Sequence, residues 1–154
     1  LHACTLYSPQ FPKGDRGGNS FLVTRNVFDP DSRTNLHSLW DSLLGNYRSA
    51  DWDACVATGL AARPPMSEQQ LAPFLAEHEP MAWARESHEL AVEYVYQHGK
   101  LAGEAAGTAA SGTPAKAPPL PNDYLRAGEQ IAMQRAAIAA GRLAHLLNEI
   151  FAPK

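Results

Sequence analysis

Cysteine is scarce in this chain, with Cys4 and Cys55 the only two. They can form one disulfide at most or remain two buried thiols, so cysteine usage leaves the redox compartment open. Charge is sparse as well: Asp, Glu, Lys and Arg make up 19% of the residues, and the formal net charge is −3 at pH 7. That balance excludes a broad basic surface for duplex nucleic acid. A metal-centred site stays compatible with it, because a bound cation can itself hold a phosphate. Missing too is any apolar run approaching the ~20 residues of a membrane span.

What is present suffices for one core. Hydrophobic residues fill 45% of 154 positions, which suits a single globular domain. Pro9, Pro12 and Gly14 mark residues 8–15 as loop. Residues 20–28, rich in Phe, Val and Thr, read as a short strand pair or extended chain. Asp29-Pro30-Asp31-Ser32 is a turn by its chemistry.

Asn35 suits the N-cap of a helix running to about Leu44, with Gly45-Asn46 as its stop. A short helix fits residues 52–60. Ser67-Glu68-Gln69-Gln70 is a capping box opening a helix towards His78, which Pro73 should shorten or kink. Residues 81–98 repeat apolar side chains at helical spacing. Residues 101–121 are dominated by Ala, Gly, Ser, Thr and Pro and read as an exposed, mobile loop within the domain. A long helix from Asp123 carries Ile131, Ile138, Leu143, Leu147 and Ile150 to Phe151. The expected class is mostly α, with one short strand pair.

The most informative segment is Asn35-Leu36-His37-Ser38-Leu39-Trp40-Asp41. Residues four apart share a helix face, so His37 and Asp41 project side by side at the border of an apolar stripe made by Leu36, Leu39, Trp40 and Leu43. Zinc binds imidazole nitrogen and carboxylate oxygen at roughly 2.0–2.2 Å. A surface His–Asp pair is the plainer alternative. Upstream lie Leu1-His2 and then Gly14-Asp15-Arg16-Gly17-Gly18-Asn19. Downstream comes Trp83-Ala84-Arg85-Glu86-Ser87, then the Ala-rich helix with Arg142 and His145.

This order resembles the zinc-dependent single-strand-specific nucleases and 3'-nucleotidases, within the zinc phospholipase C superfamily. The resemblance spans nearly the whole chain, and the Asn-Leu-His-Ser-Leu-Trp-Asp heptamer is its most specific part. It implies a helical nuclease-like fold and a hydrolase cutting phosphodiester bonds of single-stranded RNA or DNA to 5'-nucleotides, with 3'-nucleotidase activity alongside. Residue by residue, it implies His2, His37 and Asp41 as the protein ligands of one zinc ion. Members of the family carry three zinc ions, so residues 1–154 are expected to be the C-terminal portion of a larger domain. The closely spaced zinc pair that activates the attacking water has no counterpart here. Secretion or periplasmic export is implied, as is an N-terminal portion, or self-association, covering the apolar face of the last helix. A phospholipase C and a non-catalytic helical domain are the alternatives.

Around that site, Asn19, Arg16 and Phe11 are the candidate substrate contacts. Gly17-Gly18-Asn19 reads either as a phosphate loop or, in preference, as a tight turn with Asn19 pinning the backbone. Lys13, Asp15 and Arg16 read as solvated loop charges. Glu86 suits a structural partner, and His78, His98 and His145 lack ligand-spaced partners. Tyr7, Phe11 and Phe21 offer rings on which bases of a single strand can stack, although Phe21 suits the core.

Overall fold

The computed structural model describes residues 4–25, 32–44, 66–106 and 117–152, the side chain of Asn122 apart. Strand β1 (Phe21–Thr24) alternates as a half-covered strand should: Phe21 and Val23 are buried, while Leu22 and Thr24 are half-buried. It pairs antiparallel with β2 (Arg33–Asn35) on one side, Leu22 facing Asn35 and Thr24 facing Arg33. On its other side Phe21 faces Ala105 of the two-residue strand β3 (Glu104–Ala105), also antiparallel. The sheet order is therefore β2-β1-β3. This corrects the expected strand pair within residues 20–28. β1 finds both partners elsewhere, because the apolar alternation carries no record of distant partners.

Helix α1 (Leu36–Asp41) begins directly after β2, with the Asn35 side chain accepting the Ser38 N–H as its cap. It stops at Asp41, short of the expected Leu44, in a turn where Ser42 donates back to the Leu39 carbonyl. Ser67 and Gln70 close both arms of the capping box on α2 (Glu68–Leu75). Pro73 lies inside that helix, which ends two residues later, before His78. Helix α3 (Pro80–Leu90) starts on its proline and widens into a π-helical turn at Ala91–Val95. There Tyr96 N–H reaches back five residues to the Ala91 carbonyl at 2.9 Å. That rotation turns Val95 and Tyr96 into the core. The turn Gln97–Gly99 follows, and the long helix α4 (Asn122–Phe151) completes the order.

Residues 52–60, the stop at Gly45-Asn46, and residues 107–116 of the Ala/Gly/Pro-rich segment lie outside the described residues. The described ends of that segment correct its reading as one exposed loop. Leu101, Ala105 and Leu120 are buried, and Ala117–Leu120 lies along β1, with Thr24 donating to Ala117 O and Leu120 N–H to Thr24 O.

The core joins Phe11, Phe21, Val23, Leu36, Leu39, Val95, Tyr96 and Tyr124. Each such large side chain taken out of water contributes roughly 1.5–3 kcal/mol. Far from this core, Leu143, Leu147, Ile150 and Phe151 leave an apolar stripe exposed on the last turns of α4. Among the described residues no helix is long and apolar enough to cross a membrane.

Candidate functional site

Asp15 organises the site, and it is fully buried. Its Oδ1 accepts the N–H groups of Leu6 and Gly17 at 2.9 and 3.1 Å. Its Oδ2 accepts Gly18 N–H at 3.0 Å and the Tyr96 hydroxyl at 2.7 Å. Four donors satisfy one carboxylate, which is how a charge survives inside a protein. The reading of Asp15 as a solvated loop charge is corrected here. Its loop position gave no signal, because its donors are mostly backbone N–H groups, which any sequence supplies. Burial, and then the bond to Asp15, push the Tyr96 phenol far above its ordinary value of 10.0.

The loop that Asp15 ties down passes through three successive left-handed residues, Arg16, Gly17 and Gly18, at φ 59°, 64° and 87°. It then lies against the start of α1. A Cβ at Gly18 would stand 2.9 Å from the His37 backbone nitrogen, so only glycine permits this approach. Two bonds join loop to helix: His37 N–H donates to the Gly18 carbonyl at 3.4 Å, and His37 Nδ1 meets the Gly17 carbonyl at 2.9 Å. The chain's Gly-Gly turn thus orients a histidine. Asn19 Nδ2 donates to the Arg16 carbonyl at 3.0 Å, pinning the turn as the sequence suggested. Both Arg16 and Asn19 are exposed.

A carbonyl only accepts, so His37 Nδ1 carries a hydrogen, and in the neutral ring Nε2 is then the nitrogen with a lone pair to offer a metal. Nε2 lies 3.4 Å from Asp41 Oδ2. The helix period sets this spacing, as expected for residues four apart. Two ligands each about 2.1 Å from a tetrahedral metal stand about 3.4 Å apart, so the pair fits one zinc ion. Hydrogen bonding of the other ring nitrogen to a carbonyl is also how metal-binding histidines are held. His37 is mostly covered, whereas the Asp41 side chain is 64% exposed, so the pair opens to solvent on the carboxylate side. Among the described residues no group of three His, Cys, Asp or Glu side chains gathers to hold a metal. His2, the third expected ligand, lies outside the described residues, as does Cys55. Cys4 is a free thiol whose pKa is raised by burial and then by Asp15, which disfavours the thiolate a metal would need.

The remaining candidates are structural. Phe11 is 4% exposed, its ring stacked on Phe21 with centroids 5.2 Å apart. It is core, its ring already stacked on Phe21. Glu86 receives both Arg142 (2.8 and 3.0 Å) and Arg135 (2.9 Å). Arg142 also donates twice to the Phe74 carbonyl at the end of α2, and lies over the Trp83 ring. Those bonds, led by Arg142's, hold the Glu86 carboxyl below its ordinary value. One cluster thereby clamps α2, α3 and α4. The sequence missed the pairing of His78 with His145, whose rings lie 4.5 Å apart, because the two come from different elements.

Searches among curated proteins and among solved structures return no match. A family model for the S1/P1 nuclease matches residues 1–152. The chain belongs to the S1/P1 nuclease family, whose members are nucleic-acid hydrolases that use zinc and are typically secreted.

Proposed function

We propose that His37 and Asp41, with His2, hold one zinc ion of an enzyme that hydrolyses phosphodiester bonds of single-stranded RNA or DNA to 5'-nucleotides, with 3'-nucleotidase activity alongside. The observation that carries this reading is the His37 Nε2 to Asp41 Oδ2 separation of 3.4 Å, with Nδ1 committed to the Gly17 carbonyl. Three zinc ions serve the whole enzyme on this reading, and export to the periplasm or medium is its setting. A zinc ion here supplies Lewis acidity towards a phosphate oxygen.

The chain's own residues do the rest. Asp15 fixes the loop, the loop carbonyl fixes the imidazole tautomer, and α1 sets the carboxylate beside it. A neutral imidazole and an ionised carboxylate leave one negative charge, which balances half of a divalent cation and leaves net attraction for phosphate. Arg16 and Asn19, exposed on the loop that touches His37, are the groups placed to meet the phosphate backbone. Net charge of −3 favours phosphate capture at this local positive centre over binding along a basic surface.

Hydrolysis of a single-stranded oligonucleotide, followed by identification of the terminal phosphate, tests the activity in the full-length enzyme. Products bearing 5'-phosphate and loss of turnover in Asp41→Ala are expected. Products bearing 3'-phosphate contradict the reading.

A further inference from the structure

We propose that the cleft between the loop Cys4–Phe11 and the end of α3 is a second contact for single-stranded nucleic acid, where a base stacks on Tyr7. This rests on the reading that the enzyme acts on single strands, and it adds a place for the strand outside the metal pair. The cleft has a volume of about 580 Å³, within the roughly 300–1,000 Å³ range of small-ligand sites. Tyr7, Gln10, Phe11, His88, Tyr96 and His98 are among its lining residues.

Three observations select the ligand. Tyr7 is 70% exposed, yet its ring is supported from behind: a Cβ on Gly14 would lie 3.2 Å from two of its ring carbons and 2.6 Å from Thr5 Cγ2. Gly14, at φ 80°, lets the ring rest on bare backbone, which leaves the other side of the ring for a partner. A supported aromatic ring open to solvent is the platform that single-strand binders offer to bases.

Charge is the second. Among the described residues no Asp, Glu, Lys or Arg lines this cleft. Three other clefts among the described residues each carry carboxylates: Glu86, Glu89 and Glu93 between α2, α3 and α4; Glu93 and Asp123 beside Trp40; Glu89 on the outer side of α3. Arg135 and Arg85 stand beside the glutamates of the first and third, so the difference is that this cleft alone of the four sets no described carboxylate against a phosphodiester. The third is the polar complement. His88 and His98 stand on the wall, with Thr5, Ser8 and Gln10, residue types whose side chains hydrogen-bond base edges and phosphate oxygens. His98 is held in place by an unusual backbone, Gln97 and His98 both left-handed at φ 48° and 55°, locked by Gly99 N–H to the Tyr96 carbonyl at 2.8 Å.

Fluorescence anisotropy of a labelled oligothymidylate, titrated with the full chain in EDTA, tests the proposal without zinc. Tyr7→Ala is expected to weaken binding about 5- to 100-fold, the loss of one stacked base. Tyr7→Phe keeps the ring and should bind within about twofold of the parent, and Tyr94→Ala removes an exposed ring elsewhere and should leave Kd unchanged. Val92→Trp, which fills the cleft wall, should weaken binding as Tyr7→Ala does. No binding by the parent in EDTA, or Tyr7→Ala binding like the parent, overturns the proposal. Asp41→Ala separates the two readings. Zinc lost with oligothymidylate binding kept supports both, whereas zinc retained sinks the metal pair and leaves the cleft standing.

Discussion

Trp40 donates its indole N–H to the Tyr124 hydroxyl at 2.9 Å, with the two rings nearly perpendicular. Tyr124 in turn donates to the Val95 carbonyl, also at 2.9 Å, within the π-helical turn. Trp40 neighbours Asp41, so this relay ties the helix of the metal pair to α4 and to the end of α3. A short helix of six residues has little stability of its own and takes its position from such anchors.

Tyr124→Phe removes the hydroxyl while keeping the ring, leaving the indole N–H and the Val95 carbonyl without their partner. Stability should fall by about 1–3 kcal/mol. Urea denaturation followed by tryptophan fluorescence measures it, and a midpoint equal to the parent's contradicts the relay.

Asp15→Ala orphans three backbone N–H groups and the Tyr96 hydroxyl at once. A loss of about 3 kcal/mol or more is expected. The His37 ring should lose its fixed orientation too, because the Gly17 carbonyl belongs to the same loop. Hydrogen exchange at the Gly17 and Gly18 amides reports release of the loop that holds the ring, and unaltered protection there would be evidence against it.

Glu86 gives the fold a definite acid response. Its carboxyl is held below the ordinary 4.5, chiefly by Arg142, so the folded chain binds its proton less readily than the unfolded one. The clamp's contribution is complete above that ordinary value and disappears as pH falls through the lowered one. The melting temperature of the parent should therefore fall more steeply below pH 4.5 than that of Glu86→Gln. Parallel curves would assign the acid response to other groups.

Much of this was legible in the sequence where the interactions are local. Asn35 as cap, the Ser67–Gln70 box, the His37–Asp41 spacing and the helical reading of residues 81–98 all depend on neighbours within a few positions. What the sequence hid depends on distant partners. β1 pairs with two later segments, one of them more than 80 positions on, Tyr96 reaches Asp15 across 81 positions, and Arg142 reaches Glu86 across 56. Burial of Asp15 was hidden for the same reason, since a loop carboxylate looks identical in sequence whether water or backbone N–H groups surround it.

The central claim is that His37 and Asp41 hold zinc, and metal content measures it most directly. The full chain, His37→Ala, Asp41→Ala and Ser42→Ala would be loaded with zinc, desalted and analysed by inductively coupled plasma mass spectrometry. The parent and Ser42→Ala should retain about one zinc per chain, because Ser42 only bonds the Leu39 carbonyl. His37→Ala and Asp41→Ala should each lose most of it. Zinc content in Asp41→Ala equal to the parent's would contradict the site.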